Sequence, residues 1–397
     1  MMKRALALAG GGPRGSYEIG AWKALRELGY TFDIVTGTSI GAINGVLIVQ
    51  DDIETAHRLW EQVTADKVMV HGLSLNFDMS YYIENRDSIL PFFKRAILNK
   101  GVDITPLKEM FDHYINEDKF FRSPIDFGLM TARFPSLTPV SVRKSDVAPG
   151  YLPKWVLASA SCFPAFPLCE VDGAYYIDGG YVNHLPVDLA FKMGAEEVVA
   201  IELRACAAQH AFFGNPLVTF IEPSRPLGSY LSFDTPIIAN NLLLGYNDVM
   251  RGLGGYFGSA FTFAPSPSWE RREREIAHTL SDLLRVELDS KTRLLGSATP
   301  FADRMLKQGA GVGKSPSHFF QSALETYMAM FDYDPYPAYD VDAVMDDLVD
   351  RVRHSGDERI ARIAKVNRVL ERGEVEPWLY AEPPEILLLA VLLMTVS

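Results

Sequence analysis

Twice within its first 50 residues, the chain passes from a short apolar run through glycines into a segment with helical character. The first passage, ALALAGGGPRGSYEIGAW, leads into a helix predicted over about residues 15–29, and the second reads FDIVTGTSIGAING. Buried strands that alternate with helices are typical of parallel sheets, because a parallel neighbour is reached only through a long crossover. The pattern predicts an α/β fold.

This alternation continues to about residue 265. The predicted strands are Lys3–Gly10, Phe32–Thr36, Ile125–Arg133, Pro139–Arg143, two short strands around the Asp172-Gly173 turn, and 196–203. The predicted helices after the first are Ile40–Gln50, Ala56–Thr64, Tyr81–Asn99, Pro106–Tyr114, 151–160 and Val187–Met193. We expect residues 1–265 to form a three-layer α/β/α domain with a largely parallel central sheet, and residues 266–397 to form a mainly helical C-terminal extension.

Net charge and cysteine content argue against nucleic-acid, disulfide and zinc-binding features. The net charge of −12 argues against a nucleic-acid partner, since a phosphate backbone requires a basic surface. The three cysteines, Cys162, Cys169 and Cys206, form no C-x-x-C pair, which predicts neither a disulfide framework nor a zinc site. We therefore expect a cytoplasmic protein without a metal or cofactor.

The second passage contains a G-x-S-x-G pattern formed by Gly37, Ser39 and Gly41. An apolar strand leads into it and a helix of small residues leads out, which is the setting of a nucleophile elbow. The glycines would allow a sharp turn that projects the Ser39 hydroxyl. Taken alone, the pattern fits equally well a plain strand-to-helix turn in which Ser39 caps the helix.

The first passage fits the dinucleotide-binding pattern G-x-G-x-x-G through Gly10, Gly12 and Gly15. That kind of site also needs an acidic residue at the end of the second strand to hold a ribose. Here the second strand ends at Thr36-Gly37, and Asp33 lies at its beginning. The missing acid argues against a nucleotide cofactor.

An oxyanion hole is the better interpretation of the glycine-rich loop. Gly11 and Gly12 can bring backbone N–H groups close to a developing negative charge without a Cβ in the way. Pro13 has no N–H, so the remaining donor is Arg14 or Gly15 at the start of the helix, where the macrodipole also favours an anion. The Arg14 side chain either holds the loop or binds a lipid phosphate, and we favour the first role.

A serine nucleophile needs a base, and the best candidate is Asp178 in YYIDGGYVNHLPV. It ends a predicted strand and is followed by two glycines, so it is expected at the sheet edge where Ser39 also lies. The alternative is a simple Asp-Gly turn, an interpretation that suits Asp172.

Together these motifs resemble the patatin-like phospholipases, and the resemblance covers roughly residues 3–265. Residues 10–15 look like that family's G-G-G-x-R-G oxyanion loop, residues 37–41 its nucleophile elbow and residues 178–180 its D-G-G/A motif. The segment LASASCFPAFP at 157–167 is similar to the family's run of small residues and prolines. The resemblance implies a Ser39–Asp178 dyad that hydrolyses fatty-acyl esters without histidine, with Gly10 as part of the oxyanion loop.

His184 lies six residues after Asp178, where such sequences often carry Asn. It could serve as a third catalytic residue, but a structural histidine is the favoured interpretation. The segment QGAGVGKS at 308–315 resembles a phosphate-binding loop, yet Gln308 stands where the first glycine belongs, and we interpret it as a flexible loop.

Two helical segments near the C-terminus have alternative interpretations. The apolar run 386–397 is about 18 Å long as a helix, too short to span a bilayer, and is either a packed terminal helix or a membrane-surface anchor, the first being favoured. The cations along 359–372 belong either to a solvated surface helix, again favoured, or to a site for anionic lipid headgroups.

The sequence thus predicts a serine lipid acyl hydrolase of the phospholipase A or lysophospholipase type. Its substrate would be a phospholipid or another fatty-acyl ester, met through peripheral membrane contact, and a homo-oligomer is compatible with the sequence. Apolar residues within 68–98 would line the acyl groove or simply pack in a core. The alternatives are a thioesterase or acyltransferase on the same scaffold, and a non-catalytic scaffold protein at the membrane surface.

Overall fold

The computed structural model describes residues 2–68, 103–163, 165–204, 211–230, 233–289, 316–373 and 376–395, which form two compact units, Met1–Gly254 and Gly255–Ser397. The strands are β1 (Arg4–Leu8), β2 (Ile34–Thr38), β3 (Asp126–Arg133), β4 (Thr138–Arg143), β5 (Cys169–Val171), β6 (Ala174–Asp178), β7 (Glu197–Ile201), β8 (Val218–Ile221), β9 (Thr262–Phe263) and β10 (Ala338–Tyr339). The helices are α1 (Ser16–Glu27), α2 (Ile40–Val49), α3 (Ile53–Gln62), α4 (Ala65–Val68), α5 (Thr105–Tyr114), α6 (Glu117–Arg122), α7 (Leu152–Ser159), α8 (Val187–Lys192), α9 (Thr235–Leu253), α10 (Pro267–Asp289), α11 (Pro316–Met330), α12 (Val341–His354), α13 (Glu358–Glu371) and α14 (Pro384–Leu393).

Three predicted features lie outside the described residues. They are the helix Tyr81–Asn99, the part of the acyl-groove stretch at 69–98, and the glycine-rich segment up to residue 315.

The first unit is built on one eight-stranded sheet with the order β5-β6-β3-β2-β1-β7-β8, and β4 pairs with β3. Neighbouring strands from β3 to β8 in this order run parallel, whereas β4, β5 and β6 join through antiparallel pairings. The central strands are apolar and buried, as parallel strands covered on both faces require. The predicted α/β fold with a largely parallel sheet is confirmed.

Two neighbouring residues of β3 show that helices cover both faces of the sheet. Phe127 contacts the position of Gly45 on α2, while Gly128 lies against Leu189 on α8. Because successive residues of a strand point to opposite faces, α2 and α8 must lie on opposite sides. The first unit therefore has the predicted three layers.

Helix α9 has no counterpart among the elements predicted from the sequence. It packs against α1 at very short range: a Cβ built on Gly20 would lie 1.9 Å from the carbonyl oxygen of Leu242, and one on Gly245 would lie 2.0 Å from that of Tyr17. The two glycines therefore permit this approach, although in isolation each would weaken a helix.

The second unit is mainly helical and has its own apolar core, which includes Phe263, Trp269 and Phe320. Helix α14 lies inside this core, where residues 386–393 are at most 8% exposed. This burial confirms the packed terminal helix. Among the described residues, no helix is both long and apolar enough to cross a membrane.

Helix α13 buries its apolar residues, and its cations have partners within the same unit. Arg359 pairs with Asp357, the Arg362 Nε donates to Glu382 Oε2 at 2.6 Å, and Lys365 lies over the ring of Trp378. These contacts support the solvated surface helix.

The boundary between the compact units, at Gly254, precedes the sequence-based boundary at residue 265. Phe261 and Phe263 account for the difference, because both are buried in the core of the second unit.

Candidate active site

Ser39 occupies a strained turn between β2 and α2. Its backbone has φ 56° and ψ −122°, a region that side-chain-bearing residues seldom adopt. The flanking glycines make the turn sterically feasible: a Cβ on Gly37 would lie 2.2 Å from the Gly41 carbonyl oxygen, and one on Gly41 would lie 2.5 Å from that of Leu8. The turn has the geometry of a nucleophile elbow and leaves the Ser39 side chain partly exposed.

Ser159 at the end of α7 supports this turn. Its Oγ accepts the backbone N–H of Ser39 at 2.9 Å and donates to the carbonyl oxygen of Met130 at 2.7 Å. The elbow is thus attached to β3 through one buried hydroxyl. Sequence reasoning did not single out Ser159, although it lies in the small-residue segment 157–167.

The pairing of β3 explains how Asp178 reaches Ser39. Parallel β2 ends with Thr38 opposite Met130, and antiparallel β6 ends with Asp178 opposite Thr131. Strand β4 overlaps both partners along β3 and so must occupy the other edge. Strands β2 and β6 therefore share one edge of β3, with their carboxyl ends facing each other.

At this meeting point, the Ser39 Oγ donates to Asp178 Oδ2 at 2.5 Å. The other carboxylate oxygen, Oδ1, accepts the N–H of Gly180 at 2.7 Å. Asp178 is only 6% exposed, and burial raises its pKa to about 6, against the opposing effect of the two hydrogen bonds. The carboxyl group is therefore ionised at neutral pH and poised to accept a proton from the serine.

The glycine-rich loop passes beside Ser39, since a Cβ on Gly10 would lie 3.4 Å from the Ser39 Cβ. The Gly10 N–H donates to the carbonyl oxygen of His184 at 2.8 Å, and the Arg14 N–H donates to that of Gly11 at 3.3 Å. The N–H groups of Gly10 and Arg14 are thus engaged within the protein. Within the described part of the chain, the N–H groups of Gly11 and Gly12 donate to no other group.

Gly12 needs to be glycine on two grounds. Its φ is +58°, and a Cβ there would lie 2.2 Å from the carbonyl oxygen of Tyr230. It begins a short 3₁₀ turn, Gly12–Gly15, that runs directly into α1. The loop therefore lies at the positive end of a helix dipole.

The Arg14 side chain holds this loop. Its Nε donates to the carbonyl oxygen of Gly228 at 2.9 Å, and its Nη1 donates to those of Leu203 and Arg204 at 3.4 and 3.1 Å. The guanidinium also lies 3.8 Å from the ring centroid of Tyr230. These contacts support the loop-holding role that the sequence favoured.

His184 lies on the segment that follows Asp178 and folds back over the ends of β1 and β2. Besides the bond from Gly10 to His184, the Thr38 hydroxyl donates to the carbonyl oxygen of Asn183 at 2.8 Å. The His184 imidazole Nε2 lies 3.2 Å from Glu202 Oε2, while both Asp178 oxygens bond elsewhere, to Ser39 and Gly180. The His184 carbonyl thus accepts a hydrogen bond from the glycine-rich loop, while its imidazole pairs with Glu202.

In the described ranges, no group of three or more His, Cys, Asp or Glu side chains is arranged to hold a metal ion. The chemistry available at this place is that of a serine hydroxyl, a buried carboxylate and two backbone N–H groups.

Comparison with known proteins finds relatives of the part of the chain that carries this site. A model of the family described as patatin-like phospholipase matches residues 6–191, which include both Ser39 and Asp178. Patatin-like phospholipase domain-containing protein 6 of Mus musculus is 32% identical over 204 residues, which are 50% of this chain and 13% of that protein. Lysophospholipase NTE1 of Coccidioides immitis is 28% identical over 205 residues, 50% of this chain and 11% of that protein.

Among solved structures, VipD from Legionella pneumophila aligns with a TM-score of 0.40 and 12% identity, over 100% of this chain and 92% of that one. The chain matches only a small part of the much longer curated relatives. Residues 6–191 of this chain match the patatin-like phospholipase family.

Proposed function

We propose that this protein is a serine lipid acyl hydrolase that cleaves the carboxylic ester of a phospholipid or lysophospholipid through an acyl-Ser39 intermediate. The observation that carries the proposal is the 2.5 Å hydrogen bond from Ser39 Oγ to Asp178 Oδ2 at a turn with positive φ. A strained backbone at Ser39 and a buried carboxylate at Asp178 are both costly to keep, which favours a chemical role over a plain turn.

The reaction begins when Asp178 accepts the Ser39 proton as the Oγ attacks the ester carbonyl carbon. The former carbonyl oxygen becomes negative and is stabilised by the N–H groups of Gly11 and Gly12 and by the N-terminus of α1. When the tetrahedral intermediate collapses, the proton on Asp178 passes to the departing alcohol, which leaves an acyl ester on Ser39.

Water then attacks the acyl ester, and Asp178 takes one of its protons. The same N–H groups stabilise the second oxyanion, and collapse returns the proton to Ser39 and releases the fatty acid. Burial raises the pKa of Asp178 to about 6, so the carboxylate is ionised at neutral pH and is a stronger base than an exposed aspartate.

The lipid nature of the substrate rests on the family match, and the relatives' names include phospholipase and lysophospholipase. A protein that takes lipids from a bilayer would meet them at the membrane surface. We therefore propose a cytoplasmic protein that contacts membranes peripherally.

Labelling with a fluorophosphonate probe tests the serine mechanism. We expect stoichiometric modification of Ser39, mapped by peptide mass spectrometry, because the probe needs an activated hydroxyl and an oxyanion site. The variant S39A should lose the label, and the matched control S141A, which alters an exposed serine on β4, should keep it. Absence of label at Ser39 in folded protein would contradict the proposal.

The substrate class is tested separately by fatty-acid release from lysophosphatidylcholine micelles, phosphatidylcholine vesicles and a short-chain thioester. Release from a lipid ester should exceed release from the thioester at equal concentration. A preference for the thioester would keep the serine mechanism but refute the lipid substrate.

A further inference from the structure

Asn44 is a buried residue of α2, five positions after Ser39, that the proposed reaction does not use. Its side chain is inaccessible to solvent, yet its amide bonds to three other elements. The Nδ2 donates to the carbonyl oxygen of Gly15 at 2.9 Å and to Glu18 Oε2 at 2.8 Å, and the Oδ1 accepts the indole N–H of Trp60 at 3.0 Å.

Two of these bonds connect the catalytic parts. Helix α2 begins directly after Ser39, and Gly15 ends the turn that carries the oxyanion donors. A Cβ on Gly15 would lie 2.5 Å from Ile40 Cγ1 and 3.0 Å from Asn44 Nδ2. The loop and α2 are thus in direct contact, and Asn44 supplies a directional bond across that contact.

Glu18 on α1 holds the amide of Asn44 in place. Its side chain is completely buried, and its Oε2 accepts the Asn44 amide at 2.8 Å. Burial raises the pKa of Glu18 well above its ordinary value, against the hydrogen bonds from Asn44 and from the backbone of Ala9, and nearby Glu202 raises it further. A glutamine at this position keeps the size of the side chain and an oxygen that accepts the Asn44 amide.

The hydrogen bond from Trp60 fixes which way the Asn44 amide is turned. Because Oδ1 of Asn44 receives the indole N–H, the Nδ2 must face Gly15 and Glu18. A buried amide of this kind is kept only when its partners are satisfied, and an apolar side chain would fill the space at lower desolvation cost.

We propose that Asn44 is a positioning residue that sets the distance between Ser39 Oγ and the N–H groups of Gly11 and Gly12, with Glu18 fixing the orientation of its amide. This inference rests on the proposed ester hydrolysis at Ser39. Because oxyanion donors act only on charge that develops during the reaction, misplacing them lowers kcat and leaves KM nearly unchanged.

The first test is N44L, compared with the matched control N367L. Asn367 is also a buried helical asparagine that donates to one backbone carbonyl, that of Ala390 at 3.1 Å, in the second unit. We expect N44L to lower kcat on a lysophospholipid by roughly 10- to 100-fold with KM within about threefold, since shifts near 1 Å cost up to about 100-fold. The control N367L should lose thermal stability but keep kcat.

The second test separates orientation from packing and remains decisive if N44L does not fold. E18Q keeps an acceptor for Asn44, whereas E18L removes it and leaves the Gly15 bond intact. We expect E18L to lower kcat about 10-fold and E18Q to stay within about threefold of the wild type. Equal losses in the two variants, or a normal kcat in E18L, would overturn the proposal.

Fluorophosphonate labelling of the wild type distinguishes a failure of the proposed function from a failure of the positioning role alone. If wild-type Ser39 is not labelled, the proposed function fails. If it is labelled and E18L and any folded N44L keep the wild-type kcat, only the positioning role fails.

Discussion

The two compact units differ in what they bury. The first buries many polar side chains, among them Glu18, Asn44, Ser159 and Asp178, which lie around the ends of β1, β2 and β6. Among the described residues of the second unit, the buried polar side chains are Thr262, Arg272 and Asn367. Burying a polar group costs free energy unless its partners are in place, and in the first unit several of these groups lie at the proposed active site.

The largest expected effect tests whether chemistry is confined to the first unit. S39A and D178N should each lower kcat/KM for lysophospholipid hydrolysis by at least about 1,000-fold, because one lacks the nucleophile and the other the base. The assay is fatty-acid release at pH 8. The control D172N changes an exposed aspartate at a left-handed turn position, which asparagine tolerates, and should retain full activity.

The next effect concerns the apolar core of the second unit. Leu389 on α14 is completely buried, so L389A should reduce the free energy of unfolding by about 2–5 kcal/mol through lost burial and a cavity. Urea unfolding followed by circular dichroism measures the change. Activity per folded molecule should persist, and a loss of kcat in folded L389A would break the division of roles between the units.

A smaller effect concerns the stability that the protein loses by burying the Asp178 carboxylate. The pKa of Asp178 is about 6 in the folded protein and near 3.8 when exposed, so the folded state binds more protons between these values and stability falls as pH rises through them. D178N removes this penalty and should stabilise the protein by up to about 3 kcal/mol at pH 8. The gain should vanish below about pH 4; a pH-independent difference in melting temperature would refute this account.

The smallest effect is expected at the surface of the second unit. The Arg362 and Glu382 pair has an arginine side chain that is half exposed, so R362M should change the free energy of unfolding by less than about 1 kcal/mol. The measurement is thermal unfolding in low and high salt. A loss above 2 kcal/mol would mean that this pair supports the core.

Sequence predicts most reliably where the signal is local. The strand–glycine–helix passages at Gly10–Gly15 and Gly37–Gly41 carry their turn chemistry in adjacent residues, so both the turns and the position of Ser39 could be predicted. Helix α9 could not, because Gly245 lowers helix propensity and is explained only by the close contact with α1. Tertiary packing, absent from any local window, decides this element.

In the candidate active site, too, local features could be predicted from the sequence and long-range contacts could not. Placing Asp178 at the sheet edge near Ser39 needed only the ends of two strands. That Gly10 gives its N–H to His184 depends on a segment more than 170 residues away, whose path no local pattern specifies. The partners of Asn44 lie 16, 26 and 29 residues away, on three other elements, so no pattern within one helix specifies them.

The shared edge of β3 has a consequence for how this fold tolerates change. Ser39 and Asp178 are 139 residues apart in sequence, yet their strands end opposite neighbouring residues, Met130 and Thr131. The pairing with β3 thus sets the spacing of Ser39 and Asp178, independently of the number of residues between them. The connection between β4 and α7 can lengthen or shorten without changing this register, whereas a slip of one residue in the pairing of β3 with β6 would turn the carboxylate to the other face of the sheet.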